Sequence, residues 1–398
     1  MRPEVNLRRS VARCLAVIVS AAAGALAAAP ADAAVTGSAR PRVVARHTMA
    51  SDARQVARRA ALTGVSCSQP RQCLAVGYRG RHFRPPAIAE SWNGVRWRLA
   101  PPPLRAPISV DCVSPSFCLA VGIAETKPGS GATATWNGSN WNVRRGLPPS
   151  AVGRLSCVTP KFCIDIGVAG ITQLWNGRSW HSQAMPEPPG STDFTLSGVS
   201  CTSTKFCMAV GAYTTDPDSL SPQTVAESWD GQAWKLIPSP THKQTSAFND
   251  ISCISPKHCV AIGGFFTAAR PSYKAYNVAA LWDGTSWHVM RLPGAVGFPH
   301  GFDNLNQGPD SISCATASRC MAVGSFLNAR TRMRDSVAIA WNGAKWRLTK
   351  LRGPKSGIAD VSCPSPNRCI AVGHDGTRAL AERWDGGASW TLLRTPSV

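Results

Sequence analysis

Fourteen of the fifteen cysteines fall into seven C-x5-C pairs: Cys67/Cys73, Cys112/Cys118, Cys157/Cys163, Cys201/Cys207, Cys253/Cys259, Cys314/Cys320 and Cys363/Cys369. The tryptophans pair as well, and all fourteen are used: Trp92/Trp97, Trp136/Trp141, Trp175/Trp180, Trp229/Trp234, Trp282/Trp287, Trp341/Trp346 and Trp384/Trp390. One Trp pair follows each Cys pair, and the first cysteines are spaced by 45, 45, 44, 52, 61 and 49 residues. A unit of that length cannot bury a core alone, so its repetition means that neighbouring copies stack. The repeat therefore constrains the fold before any local reading begins.

The fourth copy reads as four short strands, named A to D here. Leu196–Cys201 alternates apolar residues and is strand A, and residues 202–206 turn the chain. Cys207–Tyr213 is strand B, Val225–Trp229 strand C, and Trp234–Ile237 strand D. Asp230-Gly231 between the tryptophans matches the Asn-Gly of other copies, a strong hairpin signal. Four-strand units at this period predict an all-β, seven-bladed β-propeller of antiparallel blades. With 34 Gly, 31 Pro, 44% hydrophobic and 16% charged residues, the chain is turn-rich and too apolar for a disordered class. Sharing of a closing strand between first and last blades is not visible in the repeat order.

The unit resembles kelch-type repeats in strand order and in its late Trp, although Gly263-Gly264 alone reproduces the kelch double glycine. Asp385-Gly386-Gly387-Ala388-Ser389-Trp390 resembles the Asp-box of sialidase-like repeats, and the other six copies are one residue shorter. Trp-Asp occurs three times without the Gly-His of WD40 repeats. The resemblance implies a propeller of the kind found in secreted bacterial proteins. It does not imply an activity, because propellers host many.

C-x5-C places one cysteine at the end of strand A and its partner at the start of strand B. Paired across an antiparallel hairpin, they predict one disulfide per blade. A zinc site favours C-x2–4-C with a second pair nearby, and a redox centre C-x-x-C, so both fit less well. Seven bridges suit an exported chain. Arg2, Arg8, Arg9 and Arg13, then the apolar stretch Cys14–Ala29, then Ala31-Asp32-Ala33, read as a signal peptide over residues 1–33, cleaved before Ala34. Residues 34–60 hold six Arg and read as a basic lead-in that favours salt-sensitive adhesion to anionic surfaces. The ring occupies 61–398, with repeats near 61–104, 105–149, 150–189, 194–240, 247–293, 308–352 and 356–398. No transmembrane anchor is expected, and the localisation read is extracellular.

The A–B turn is five residues in every copy and the C–D turn varies by one, so length variation is confined to the B–C and D–A connections. In a propeller these emerge on one face, which becomes the expected binding surface. Candidate ligand-binding residues there are Tyr78, Tyr213, Phe298, His300, Phe302, Asp303 and His374. A metal shared by His82, His300 and His374 is a weaker alternative, and no cofactor is predicted. Glu90, Glu227 and Glu382, two residues before the first Trp, are expected on exposed strand positions, and Asp230, Asp283 and Asp385 in turns. The formal net charge is +21, with the basic residues scattered along the chain. The expected function is a monomeric, non-catalytic propeller. Its expected partner is an extracellular glycan, an anionic wall polymer or a protein, with no specific nucleic acid. The alternative is a sialidase-like hydrolase or a lyase on the same face. The oxidase alternative would need a cysteine linked to tyrosine, and every mature cysteine is paired.

Overall fold

A computed structural model describes residues 60–80, 86–123, 131–147, 153–167, 171–216, 222–240, 246–267, 274–293, 308–328, 333–353 and 357–396. These form 28 strands in seven four-stranded antiparallel sheets, each built from consecutive strands in the order A-B-C-D. The blades span residues 60–100, 106–147, 154–184, 193–237, 246–291, 308–349 and 357–393. The fourth blade runs Asp193–Ser203, Phe206–Thr214, Gln223–Trp229 and Trp234–Ile237, a few residues longer than the sequence pattern indicated. No helix among the described residues is long and apolar enough to cross a membrane.

The two tryptophans of each blade sit directly opposite one another across strands C and D. Their ring centroids lie 5.2–6.5 Å apart in tilted contact, a favourable aromatic geometry. In blades 3 to 6 the first indole N–H donates to the A–B turn, at the carbonyls of Pro160, Thr204, Pro256 and Ala317. The Trp pair therefore ties the two turns of a blade together. Between the tryptophans, Asn or Asp accepts two backbone N–H bonds through one oxygen, as Asp230 does from Gln232 and Ala233. The glycine that follows has a positive φ, +100° at Gly231, which explains the Asn/Asp-Gly requirement.

The small residues of strand B have separate causes. Ala75, Ala120, Ala209, Ala261, Ala322 and Ala371 are fully buried between neighbouring sheets. The glycine two positions on faces a bulge in strand A. A Cβ at Gly211 would lie 2.0 Å from the Thr195 carbonyl oxygen, which no side chain tolerates.

Each Cys pair is at disulfide distance, with Cα atoms 3.9–4.0 Å apart, closer than a typical cross-strand pair. In six blades the two cysteines are direct partners in the A–B register, as Cys157 with Cys163, Cys253 with Cys259 and Cys314 with Cys320. Blade 7 departs from that expectation. Cys363 and Cys369 fall inside the register shift between the pairs Ser362/Ile370 and Ser365/Arg368, yet their Cα atoms are still 4.0 Å apart.

Seven apolar cores lie between blades, each shared by two neighbours, and the last joins blade 7 to blade 1 through Ile370, Val372, Leu62 and Val65. Among the described residues the ring closes with every blade built from consecutive strands and no strand exchanged.

Candidate functional site

Strand A of each blade packs against strand A of the next, so these seven strands line the central channel. The residue before the first cysteine faces the following blade. The N–H of Cys112 donates to Ser66 Oγ, Cys157 to Asp111 Oδ2, Cys201 to Ser156, Cys253 to Ser200, Cys314 to Ser252, Cys363 to Ser313 and Cys67 to Ser362. All seven distances are 2.7–3.0 Å. A hydrogen-bonded belt thus encircles the channel, and the recurring Ser-Cys dipeptide was its signal in the sequence.

The second cysteines have a different place, and most of them do not belong to any site. Cys163, Cys259, Cys320 and Cys369 are 0–4% exposed, because strand B lies inside the blade. Each lies in an apolar core between blades and pairs across strands B and C with Trp175, Trp282, Trp341 and Trp384 respectively. They are scaffold residues that no ligand can touch. Cys73 and Cys118 differ in bordering the cleft between blades 1 and 2.

Two residues back from the Ser or Asp of the belt lies a second ring, made of Gly64, Ser109, Arg154, Gly198, Asp250, Ser311 and Asp360. Its carboxylates bridge blades. Asp250 Oδ2 accepts the Ile312 N–H, and Asp360 accepts the Val65 N–H and the Ser311 hydroxyl at 2.6 Å. Arg154 reaches from blade 3 across the channel, 3.9 Å from Asp360 Oδ1 and 3.4 Å from the Asp310 carbonyl oxygen. Burial pushes Asp250 up to about 6, opposed by Arg154 and backbone N–H groups. Burial also raises Asp360 and Asp111. Burial works against the Arg154 charge, but the carboxylates of Asp250, Asp360 and Asp310 outweigh it and hold the guanidinium above its usual value. The Arg154 side chain is 37% exposed against 14% for Asp360, so water reaches it more readily. The cluster locks opposite walls of the channel. Its carboxylates accept protein hydrogen bonds, which suits bracing rather than proton transfer.

Glu90, Glu227 and Glu382 are not exposed, as the sequence had suggested. All three are fully buried, because strand C lies inside the blade. Glu382 shows the purpose: it accepts the Arg352 and Gly353 N–H groups at 2.7 and 2.8 Å and anchors the link from blade 6. In the link from blade 3 the position matching Arg352 is Pro186, which has no N–H to give. Both Glu227 oxygens lack a partner, and burial pushes its carboxyl up to about 8. Asp165 of blade 3 replaces the strand B alanine of other blades. It is fully buried, accepts only the Gly153 N–H, and burial raises it well above the usual range.

Of the expected ligand-binding residues, Phe298, His300, Phe302 and Asp303 lie outside the described residues, as does His82. Tyr78, Tyr213 and His374 end strand B in blades 1, 4 and 7, on the face of the variable connections. Tyr78 is half-buried, and burial raises its phenol. The Tyr213 hydroxyl donates to Gln223 Oε1 at 3.0 Å. His374 lies over Gly357 and accepts the Gly376 N–H through Nδ1. Blades 1 and 7 are neighbours, and blade 4 is not adjacent to either. Asp230, Asp283 and Asp385 sit in turns, where Lys235, His288 and Arg383 pair with them at 2.6–2.8 Å. Among the described residues no group of three or more His, Cys, Asp or Glu side chains is arranged to hold a metal.

A cleft of about 480 Å³ opens on the opposite face, between blades 1 and 2. Gln69, Gln72, Ser91, Asn93 and Ser114 line it together with Arg71, Trp92 and Trp136. Sequence reading had singled out the other face, because uniform turn length carries no sign of the gap between adjacent blades.

No family model and no curated protein matches this sequence. Solved structures do match. The structure described as YCF48 bound to D1 peptide is similar over 83% of this chain and 93% of its own, with TM-score 0.52 and 14% identity. The β-propeller domain of the Trilobed protease from Pyrococcus furiosus, described as having an open velcro topology, matches 84% of this chain and 98% of its own. Its TM-score is 0.53 and its identity 9%. At these identities the likeness shows the fold: this chain is a seven-bladed β-propeller.

Proposed function

We propose that the protein is an exported, non-catalytic binding propeller whose ligand docks on the face of the B–C and D–A connections. One observation carries this reading. The ring is braced at every blade junction by the Ser/Asp-to-Cys belt, while all variation in chain length is confined to connections on one face. A scaffold of that kind holds variable loops in fixed positions, which is what recognition needs and turnover does not. The acidic side chains of the channel and of strand C serve the ring. A sialidase-like site would need a tyrosine nucleophile beside a carboxylate, and the Tyr213 hydroxyl donates its hydrogen bond to the side-chain amide oxygen of Gln223. Seven Cys pairs at disulfide distance favour an oxidising compartment, in agreement with the signal peptide read over residues 1–33. That a propeller of similar architecture is described with a bound peptide supports a protein segment as the ligand, ahead of a glycan or wall polymer.

The test is retention of the purified protein on isolated cell envelope across a salt gradient. It is repeated with residues 215–221 of the blade 4 B–C connection replaced by Asn-Gly. Saturable retention that resists salt and is lost in the shortened variant is the expected result. Equal retention of both proteins would overturn the loop-face reading, and turnover of a sialoside or polysaccharide library would overturn the non-catalytic one.

A further inference from the structure

The cations that look scattered in the sequence are gathered by the fold. Four positions after the first cysteine stand Arg71, Lys161, Lys205 and Lys257, in blades 1, 3, 4 and 5, all exposed. Blades 6 and 7 place Arg319 and Arg368 one residue later. Because the Cys-N–H belt holds all seven strand A ends at one level, these A–B turns share a face of the ring. Six of the seven turns on this face thus present a cation.

Four of these side chains are positioned rather than loose. The stem of each lies on the positive-φ glycine of the C–D turn in its own blade. A Cβ added at Gly94, Gly177, Gly231 or Gly284 would come 2.7, 3.0, 3.3 or 2.9 Å from Cγ of Arg71, Lys161, Lys205 or Lys257. The methylenes are held down and the charged head projects into solvent. None of the four has an ion-pair partner among the described residues. The carboxylates on this face are taken by others: Asp230 by Lys235, Asp283 by His288, and Asp385 by Arg383 and Arg368. A ring of fixed, uncompensated charge on a rigid face concentrates anions.

The cleft between blades 1 and 2 adds selectivity. It lies where the charge ring is interrupted, since blade 2 carries Ser116 in place of the cation. Its lining offers amides and hydroxyls beside Arg71 and no acidic side chain. Trp92 in its wall has a buried Nε1 with no partner, unlike the equivalent indoles of blades 3 to 6. Position 72 opens the space, because blades 2 to 4 place Phe117, Phe162 and Phe206 where blade 1 has Gln72. Neutral hydrogen-bonding groups beside one guanidinium match a sugar ring bearing a carboxylate. Charges alone would serve a nucleic acid equally well.

We propose that this turn face is a second binding surface, for an acidic polysaccharide, with its uronate units read in the cleft between blades 1 and 2 and its chain held by the ring of cations. The surface is separate from the loop-face site and does not depend on it.

The experiment measures affinity for polygalacturonate, neutral dextran and double-stranded DNA between 50 and 300 mM salt. K161E/K205E/K257E is expected to weaken polygalacturonate binding about 10-fold or more, in line with loss of several charge contacts. R291E/R378E/R394E, an equal charge change at exposed positions on the opposite end of the strands, is expected to stay within about two-fold. Q72F, which installs the residue of blades 2 to 4, is expected to weaken polygalacturonate about five-fold and leave DNA unchanged. The protein shortened at residues 215–221 is expected to bind polygalacturonate as the parent does, which separates this surface from the loop-face proposal. Equal effects of the two triple variants would overturn the face assignment. DNA binding as tight as polygalacturonate binding, with Q72F silent on both, would overturn the polysaccharide assignment and leave charge-driven adhesion.

Discussion

The backbone N–H of Cys67 donates to Ser362 Oγ at 3.0 Å, joining residues 295 positions apart. This is the seventh rung of the belt, and it closes the ring where the chain itself does not. The bond is half-buried and contributes about 1 kcal/mol, and an N–H left unpaired away from water costs about 1–3 kcal/mol. Ser362→Ala is therefore expected to lower unfolding free energy by about 1–2 kcal/mol in urea denaturation. Ser200→Ala, at an interior junction, is expected to cost a similar amount. Ser362→Asp is expected to retain most of the stability, because Asp111 fills the same position between blades 2 and 3. A silent Ser362→Ala would mean that the apolar core between blades 7 and 1, with the Val65 N–H bond to Asp360, closes the ring without this rung.

The repeat made the blade count, the strand order and the cysteine pairing legible, because all three follow from residues that recur in every copy. The belt was equally written in the chain, but Ser before Cys is a common dipeptide and shows its meaning only when the blades are set side by side. Arg154, Asp250 and Asp360 were not legible, since they share a repeat position with glycine and serine in other blades. Only the ring brings that position to one level of the channel. The burial of Glu227 and Glu382 was hidden for a related reason. A strand's alternation shows which face a residue is on, and the connection from the preceding blade then decides whether that face is covered.

Removing one bridge tests how far stability is shared among blades. Each disulfide closes a short hairpin loop, for which the chain-entropy term is about 2 kcal/mol. The variant C201A/C207A is expected to lose about that amount. It should keep the fold, because the rung from Cys201 N–H to Ser156 is made by backbone and survives the substitution. Near-ultraviolet circular dichroism reports the Trp229/Trp234 pair, which packs in the same core as both cysteines. Loss of that signal in the folded variant would show that the bridge is needed to place the pair.

Glu227 makes stability depend on pH in a defined direction. Its folded value of about 8 lies above the ordinary 4.5, so the native state holds a proton that the unfolded chain releases. Its stabilising share is complete below about pH 4.5 and is lost as pH rises toward 8. Asp250 acts the same way between 3.8 and about 6. The melting temperature is therefore expected to be higher at pH 5 than at pH 8.5. By pH 6 much of the Asp250 contribution is lost, so between pH 6 and 8 Glu227 leads the slope, and Asp165, Asp111, Asp360 and Glu382, which burial also raises, act in the same direction. E227Q/D165N is expected to flatten it. A slope that persists in the double variant would assign the effect to other groups.

Arg154 supplies the positive charge that lets Asp250 and Asp360 face the same channel. Replacing it with Met keeps the length of the side chain and removes the charge, leaving two carboxylates opposed across the opening. The Arg154 side chain is 37% exposed, so screening reduces the loss below that of a fully buried pair, to about 1–3 kcal/mol at pH 7.5. The sign with pH follows from the carboxylates. Without Arg154 both take up protons more readily, so lowering the pH toward 5 neutralises them and narrows the gap to the parent protein. Urea denaturation at the two pH values reads this directly, and R154M/D360N is expected to recover part of the loss at pH 7.5. A gap of the same size at both pH values would mean that neutralising the Asp250 and Asp360 carboxylates is not what Arg154 contributes. In that case its bond to the Asp310 carbonyl oxygen, rather than its charge, holds blade 3 to blade 6.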